Sequence, residues 1–191
     1  ALEGQDDLVL VVRRIDLDKL VEASKGAGLV FFCNPNNPTA TVHGQTAVAD
    51  TVKAIRAASP VTVILLDEAY HDYVTDPAYA TAMPLAVSTP NVFVARTFSK
   101  AHGMAGLRAG YAVGDARAIK ALAAYKMPNS LGTLTLAAAM ASIANTAHIE
   151  AERARNTEAR AFTVKAFADM GVSGTTSQAN FLFMDLKRPA K

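Results

Sequence analysis

The feature that most constrains the fold of this chain is an alternation between short apolar runs and longer segments with helical spacing. Residues 29–33 read Leu-Val-Phe-Phe-Cys, and residues 61–66 read Val-Thr-Val-Ile-Leu-Leu. A continuous apolar run of this length is typical of a buried strand in a parallel sheet. Between the two runs, residues 44–58 carry apolar side chains at the spacing of a helix. Strands that alternate with helices predict an α/β fold with a mostly parallel sheet and flanking helices.

The same patterns predict the elements and the domains of the whole chain. The predicted strands are residues 8–12, 29–33, 61–66, 91–95, 109–113 and 181–185. The predicted helices are residues 16–25 (with Asp16 as N-cap), 44–58, 115–126, 132–145 and 147–170. The alternation stops near residue 145. We therefore expect residues 1–145 to form a large domain, and residues 146–191 to form a linking helix and the start of a smaller α+β domain.

Composition argues against several classes of partner. The 191 residues include 19 Lys and Arg against 17 Asp and Glu, and the basic residues are scattered, so we expect no nucleic-acid partner. The single cysteine, Cys33, excludes an internal disulfide, and no metal site is predicted. Residues 127–149 are uncharged and long enough to cross a bilayer, but their polar side chains favour a buried Ala-rich helix and no membrane partner. Residues 1–7 do not resemble a secretory signal, so we expect a cytoplasmic protein, with export left open because the sequence does not begin with Met.

Three polar clusters directly follow predicted strands. Asn-Pro-Asn-Asn-Pro-Thr at residues 34–39 follows the first run, and its two prolines stiffen the loop. Asp-Glu-Ala-Tyr occupies residues 67–70, and Thr-Phe-Ser-Lys occupies residues 97–100, with Arg108 eight residues beyond the lysine. Ligands of open α/β sheets bind beyond the carboxyl ends of the strands. The three clusters therefore predict one ligand site.

The residue types in these clusters allow more than one chemistry. The hydroxyls and Arg108 suit a phosphate, and the amine of Lys100 can form a Schiff base with a carbonyl. An apolar strand ending in Asp-Glu also matches the magnesium-binding strand of a P-loop ATPase, but the chain has no G-x-x-x-x-G-K-[ST] loop. The glycines near residue 105 do not fit G-x-G-x-x-G, which argues against a dinucleotide. The Thr-x-x-Lys pattern also differs from the Ser-x-x-Lys of β-lactamase-like enzymes.

The order of the three clusters resembles the fold-type-I pyridoxal-phosphate-dependent aminotransferases of class I and II. The likeness is closest to histidinol-phosphate aminotransferase-like enzymes, and residues 95–110, Ala-Arg-Thr-Phe-Ser-Lys-Ala-His-Gly-Met-Ala-Gly-Leu-Arg-Ala-Gly, carry most of it. The resemblance rests on specific motifs over about residues 29–114. It continues more diffusely to residue 185, and within that part residues 177–181 also look like the family. The resemblance implies an aspartate aminotransferase-like large domain and pyridoxal 5′-phosphate as cofactor. It also implies an amino donor and a 2-oxo acid as small-molecule substrates, and a homodimer.

Three residues receive catalytic roles from this resemblance. Lys100 would hold the cofactor as a Schiff base and, once displaced by substrate, would carry a proton. Asp67 would pair with the pyridine nitrogen, where an anion favours the protonated ring. Tyr70 would hydrogen-bond the 3′-oxygen of the ring.

Four further residues are implied to bind the cofactor without a catalytic role. Asn37 would share the 3′-oxygen of the ring with the tyrosine. Thr97, Ser99 and Arg108 would hold the phosphate, and the arginine could donate two parallel hydrogen bonds. One departure from the family pattern is Ala40, which stands where a glycine is common.

Several polar neighbours of these residues are predicted to be structural. Glu68 should point to the other side of its strand end from Asp67, and Arg96, His71 and His102 are interpreted as packing or hydrogen-bonding residues. Asn180 is a candidate for the substrate side of the site.

The resemblance also implies parts that the chain does not contain. A Gly-rich helix start and an aromatic ring over the cofactor would precede residue 1, and an arginine for the substrate carboxylate would follow residue 191. We therefore interpret the chain as the central part of an enzyme. Two alternatives stay open: a decarboxylase of the threonine-phosphate decarboxylase type, and an inactive fragment that serves as a binding module.

Overall fold

The sheet predicted from the sequence is present in the computed structural model, which describes residues 14–127 and 129–186. Its four strands are β1 (Leu29–Cys33), β2 (Val63–Asp67), β3 (Val92–Thr97) and β4 (Gly110–Gly114), in that order across the sheet. Strands β1, β2 and β3 run parallel, and β4 is antiparallel to β3. The predicted α/β fold with a mostly parallel sheet is confirmed. The predicted strand at residues 8–12 lies outside the described residues.

The register of the sheet brings the ends of the parallel strands to one edge. Cys33 pairs with Asp67, and Asp67 pairs with Ala95. The hairpin between β3 and β4 pairs Thr97 with Gly110. A Cβ at Gly110 would lie 2.8 Å from the carbonyl oxygen of Arg96, so this close approach requires glycine. The three polar clusters therefore leave the sheet side by side.

Helices cover one face of the sheet and extend beyond it. They are α1 (Leu17–Ala23), α2 (Gln45–Ala58), α3 (Met83–Ser88), α4 (Ala116–Ala123), α5 (Thr133–Ala144) and α6 (Thr146–Asp169). Asp16 caps α1 as predicted, because its carboxylate accepts the backbone N–H of Lys19 at 3.1 Å. The sequence does not predict helix α3, because its six residues make fewer than two turns and include a proline near the start, a position that proline tolerates in a helix.

The main hydrophobic core lies between this sheet face and helices α1, α2 and α3. Its buried side chains are Val30, Phe32, Val48, Val52, Ile55, Ile64, Leu66, Ala82, Ala86, Val92 and Val94. Each fully buried aliphatic or aromatic side chain contributes about 1.5–3 kcal/mol relative to an exposed one. This packing fixes the strands whose ends carry the polar clusters.

The C-terminal segment attaches to the sheet domain through a few specific contacts. In α6, the Nε of Arg153 donates to the carbonyl of Asp72 at 2.7 Å, in the short 3₁₀ turn His71–Tyr73. Strands β5 (Ser173–Gly174) and β6 (Met184–Asp185) form a small antiparallel pair. The predicted strand at residues 181–185 is shorter than expected and covers only Met184–Asp185. At its predicted start, the carbonyl of Phe181 accepts the hydroxyl of Ser177 at 2.6 Å.

The uncharged stretch at residues 127–149 does not form one buried helix. It forms α5 and the start of α6, which are separated at Asn145. Of the α5 side chains only Ala139 is buried, whereas Leu134 is 83% exposed and Met140 is 66% exposed. The expectation of a buried helix is wrong for α5, since it contributes a single small side chain to the core. Within residues 14–127 and 129–186, no helix is long and apolar enough to span a membrane.

Candidate active site

One residue from each polar cluster meets the others at the carboxyl edge of the sheet. The side-chain amide of Asn37 donates to the hydroxyl of Tyr70 at 3.2 Å. The amine nitrogen of Lys100 lies 5.1 Å from the centroid of the Tyr70 ring, within the range of a cation–π contact. Among the described residues, no carboxylate forms an ion pair with this amine. The three clusters therefore share a site in which the lysine amine is available to a ligand.

The ring of Tyr70 is held from behind by an aromatic contact. Tyr70 is buried, and its ring meets the ring of Phe181 edge to face at a centroid distance of 5.0 Å. Ala40, Ala101 and Ala179 pack in the same small cluster. Sequence reasoning assigned no role to Phe181, although it had noted residues 177–181 as family-like. The missing information was tertiary, because the two rings are far apart along the chain.

The carboxylate of Asp67 lies at the last position of β2, where the polar turn begins. Its Oδ1 accepts the backbone N–H of Ala69 at 3.0 Å, and its other oxygen has no hydrogen bond within the described part of the chain. Burial, together with the neighbouring Asp67 charge, raises the pKa of Cys33 to about 11. The Cys33 thiol therefore stays protonated, and the carboxylate is the group at this point that can pair with a cationic ligand atom.

The turn after β3 brings Thr97 and Ser99 together. The backbone N–H of Ser99 donates to the Thr97 hydroxyl at 3.0 Å, and that hydroxyl lies 3.4 Å from the carbonyl oxygen of Ala109. Phe98, between them, is buried against Ala109 and Ala139 and anchors the turn. The two residues on either side of this anchor, with partly exposed side chains, are thus directed away from the core.

Arg108 is placed differently from the other six predicted site residues. Its backbone is left-handed at φ 52°, its side chain is exposed, and its Nη1 donates to the carbonyl of Ala105 at 2.8 Å. Within the described residues, its guanidinium forms no hydrogen bond or ion pair with any of the other six. Only its main chain lies close, because the following residue, Ala109, contacts the Thr97 hydroxyl.

The Asn-Pro loop is fixed by its own side chains. Asn34 is buried and bonds the main chain of His43 twice, through its amide nitrogen at 3.1 Å and its amide oxygen at 2.7 Å. The backbone N–H of Ala40 donates to Asn36 at 2.7 Å, and Ala40 has φ 58°. A left-handed backbone explains why glycine is common at this position in the family that the chain resembles. Asn37 is left exposed at the tip of this loop.

The polar residues that were predicted to be structural have structural partners. Glu68 is 3% exposed and binds Arg96 on the core side of the strand ends. The Nδ1 of His71 lies 3.0 Å from the Tyr79 hydroxyl, and burial, aided by the charge of Arg96, lowers the pKa of His71 to about 4. The role of Asn180 stays a prediction.

His102 also has a structural partner. Its Nδ1 lies 2.7 Å from the hydroxyl of Ser142 in α5, and its ring packs on Phe98 with 4.9 Å between centroids. Burial lowers the pKa of His102. His102 therefore connects the turn that carries Lys100 to α5.

The donor set fits the cofactor that the resemblance implies. In residues 14–127 and 129–186, the Lys100 amine has no carboxylate partner and one oxygen of Asp67 accepts no hydrogen bond. Tyr70 and Asn37 supply a phenol and an amide in contact with each other. An aldehyde, a ring nitrogen and a ring oxygen are the groups that such a set complements.

Comparisons with known proteins agree with these observations. The family "Aminotransferase class I and II" matches residues 11–191. A histidinol-phosphate aminotransferase of Symbiobacterium thermophilum is 39% identical over 92% of this chain and 48% of its own length. An aromatic amino acid aminotransferase of Mycolicibacterium paratuberculosis is 40% identical over 90% of this chain and 48% of its own. The chain spans about half the length of the curated relatives it matches.

A solved structure shows the same relation in three dimensions. The histidinol-phosphate aminotransferase of Sinorhizobium meliloti, determined in complex with pyridoxal 5′-phosphate, superposes with a TM-score of 0.86 at 28% identity. The match covers 93% of this chain and 48% of that one.

Proposed function

The chain belongs to the class I and II aminotransferases, and from this premise we propose that the protein containing it is a pyridoxal 5′-phosphate-dependent transaminase. It would move an amino group between an amino acid, or an amino-acid-like phosphate ester, and a 2-oxo acid. The observation that carries the proposal is the position of the Lys100 amine over the Tyr70 ring, beside the Asn37 amide and without an acidic partner in the described residues.

Seven residues would hold the cofactor or act beside it. Lys100 would bind its aldehyde carbon, and the carboxylate of Asp67 would face its ring nitrogen. Tyr70 and Asn37 would donate to its ring oxygen. The phosphate would be held by Thr97, Ser99 and Arg108. One Nη1 hydrogen of Arg108 is donated to the Ala105 carbonyl, and the other N–H groups of its guanidinium would be the donors to the phosphate.

The chain's own groups perform proton transfer and charge stabilisation. When bound, pyridoxal phosphate supplies an electron sink for the electron pair left on a substrate carbon. The Lys100 amine, once free of the cofactor, would take a proton from the substrate α-carbon and return it to a neighbouring atom. The fixed Asp67 anion would stabilise positive charge at the ring nitrogen. The edge-to-face contact with Phe181 would keep the Tyr70 hydroxyl oriented toward the site.

The substrate class follows from the relatives only in general terms. The curated relatives of 39–40% identity named above act, by their names, on histidinol phosphate and on aromatic amino acids. We therefore propose an amino donor with a ring-bearing side chain, with or without a phosphate ester.

The organisation of the whole protein is proposed on similar grounds. We propose that residues 1–145 belong to a large cofactor domain, and that residues 146–191 are a linking helix and the start of a small domain. The break between α5 and α6 at Asn145 supports this division.

We also propose a homodimer, in which a subunit contact could bury the exposed apolar side chains of α5. Sedimentation of the full-length protein would test this. A cytoplasmic location is also proposed, and cell fractionation would test it.

The test of the activity is product analysis with the purified full-length protein. It should bind pyridoxal phosphate, and incubation with amino donors and 2-oxo acids should yield the new amino acid and the new oxo acid in equal amounts. Release of carbon dioxide without an oxo-acid product would instead identify a decarboxylase. Absence of cofactor binding would identify a binding module without this chemistry.

A further inference from the structure

A buried ion pair lies directly beneath the candidate site. The guanidinium of Arg96 donates to Oε2 of Glu68 from Nε at 2.9 Å and from Nη2 at 2.7 Å. The side chains are 11% and 3% exposed. We propose that this pair is a positioning device, which holds the ends of β2 and β3 at the separation that the cofactor residues Asp67 and Thr97 require. The proposal rests on the proposed cofactor site.

Strand alternation places the pair and the site residues on opposite faces. Glu68 follows Asp67, and Arg96 precedes Thr97, so each partner is one residue from a cofactor residue. Successive side chains of a strand point to opposite faces. Glu68 is therefore on the core face with Leu66, whereas its neighbour Asp67 is on the ligand face.

The Glu68–Arg96 ion pair lies just beyond the point where the backbone hydrogen bonds between β2 and β3 end. The last register pair of β2 and β3 is Asp67 with Ala95, and the backbone N–H of Glu68 donates to the carbonyl of Ala95 at 3.0 Å. Beyond this point the segments that follow β2 and β3 leave the sheet and lead to Tyr70 and Lys100 respectively. The Glu68–Arg96 contact is thus a side-chain link across the strand ends.

Both oxygens of the Glu68 carboxylate accept hydrogen bonds. Its Oε2 also accepts the hydroxyl of Thr81 at 2.8 Å, and its Oε1 accepts the backbone N–H of Ala82 at 2.6 Å. Nη2 of Arg96 lies 2.9 Å from the same Thr81 hydroxyl. The strand ends are therefore connected to the start of α3, and these hydrogen bonds fix the positions of β2, β3 and α3 relative to one another.

Net stability alone does not account for such a pair. A buried ion pair is often no more stabilising than apolar side chains of the same volume, because desolvation of the two charges offsets their attraction. Its directional hydrogen bonds, however, define the distance and the angle between the ends of the two strands. A role in geometry therefore separates from a role in stability, and the two can be measured independently.

The experiment compares four variants of the full-length protein. Glu68→Gln and Arg96→Met each leave one buried charge without its partner, and the double variant Glu68→Gln/Arg96→Met removes both charges. The double variant keeps an amide oxygen for the Ala82 N–H. Thr62→Val is the matched control, because Thr62 is buried at the other end of β2 and bonds the Ala27 carbonyl at 2.6 Å. The readouts are unfolding of the cofactor-free protein, pyridoxal-phosphate affinity, and the pH midpoint of the bound-cofactor absorbance.

Positioning predicts that stability and affinity separate. Both single variants should unfold more easily, and the double variant should regain most of the lost stability. The double variant should still bind pyridoxal phosphate about 10–100-fold more weakly, the loss seen when residues that orient the ligands of a metal site are replaced. Its absorbance midpoint should also be shifted. Thr62→Val should lose stability and bind the cofactor normally.

Opposite results would overturn the proposal. Wild-type affinity and midpoint in the stable double variant would show that the pair is only structural, as would an equal affinity loss in Thr62→Val. If the double variant does not fold, Arg96→Lys decides, because lysine keeps the charge without the planar two-donor geometry; wild-type affinity in it would contradict the proposal. A wild-type protein that binds no pyridoxal phosphate would instead contradict the proposed function.

Discussion

Replacing Tyr70 by Phe and by Ala separates the two tasks assigned to this residue. Tyr70→Phe removes the hydroxyl that accepts the Asn37 amide at 3.2 Å but keeps the ring against Phe181. One lost hydrogen bond costs about 0.5–1.5 kcal/mol of unfolding free energy. Tyr70→Ala also removes a buried ring, which costs about 3–5 kcal/mol, and an aromatic contact worth about 0.5–1.5 kcal/mol.

Cofactor binding should weaken in both variants, because both lack the Tyr70 hydroxyl. If the hydroxyl bonds a charged ring oxygen, its loss in Tyr70→Phe costs about 1.5–3 kcal/mol, which is about a 10–150-fold weaker affinity for pyridoxal phosphate. Tyr70→Ala should bind at least as weakly, because it also lacks the ring under the Lys100 amine. The assays are denaturant unfolding of the cofactor-free protein and absorbance titration with pyridoxal phosphate.

A matched control and a refuting result complete this test. Tyr125 is 87% exposed, so Tyr125→Phe should change neither quantity. Wild-type affinity in Tyr70→Phe would show that the hydroxyl is not in the cofactor site. Equal unfolding free energies for Tyr70→Phe and Tyr70→Ala would show that the ring does not pack as described.

Three further predictions test other parts of the site. Asp67→Asn keeps an acceptor for the Ala69 N–H, so its unfolding free energy should stay within about 1 kcal/mol of the wild-type value. Its turnover should fall about 10–100-fold because the charge is lost, and wild-type turnover would refute the role of the charge. Ala40→Val places a β-branched residue at φ 58° in a fully buried position and should destabilise by about 2–3 kcal/mol in thermal unfolding, whereas Ala40→Gly should be nearly neutral. Because the pKa of His71 is lowered to about 4, the unfolded state binds a proton that the folded state does not, and stability should fall by about 2 kcal/mol between pH 7 and pH 5. His71→Gln should lose this part of the pH dependence, and an unchanged dependence would contradict the assignment.

The parts of the fold that could be predicted are those set by local pattern. The run Leu29–Cys33 forms a strand over the predicted residues, and Asp16 caps its helix, because apolar runs and capping side chains act over a few residues. Helix α3 could not be predicted because six residues, fewer than two turns, carry too little periodicity. The strand at residues 181–185 is shorter than its apolar run predicts, and the tertiary contacts of that segment, such as the hydrogen bond from Ser177 to the Phe181 carbonyl, are not visible in the local pattern.

The candidate site shows the same division between local and tertiary information. The sequence indicates that Asn37, Tyr70 and Lys100 follow neighbouring strands, and parallel strands necessarily bring their ends together. Their contacts agree with that expectation. The contact between Phe181 and Tyr70 could not be predicted, because it depends on how α6 returns the chain to the sheet. The rotamer of Arg108, which bonds its own loop, is likewise a property of the folded turn.

The central claim is that Lys100 holds pyridoxal phosphate at the carboxyl edge of the sheet. Borohydride reduction of the full-length protein with bound cofactor, followed by peptide mass mapping, tests it most directly. The account predicts a phosphopyridoxyl group on the peptide that contains Lys100, and no such group in Lys100→Ala. A group on another lysine, or no stable adduct in the wild-type protein, would contradict it.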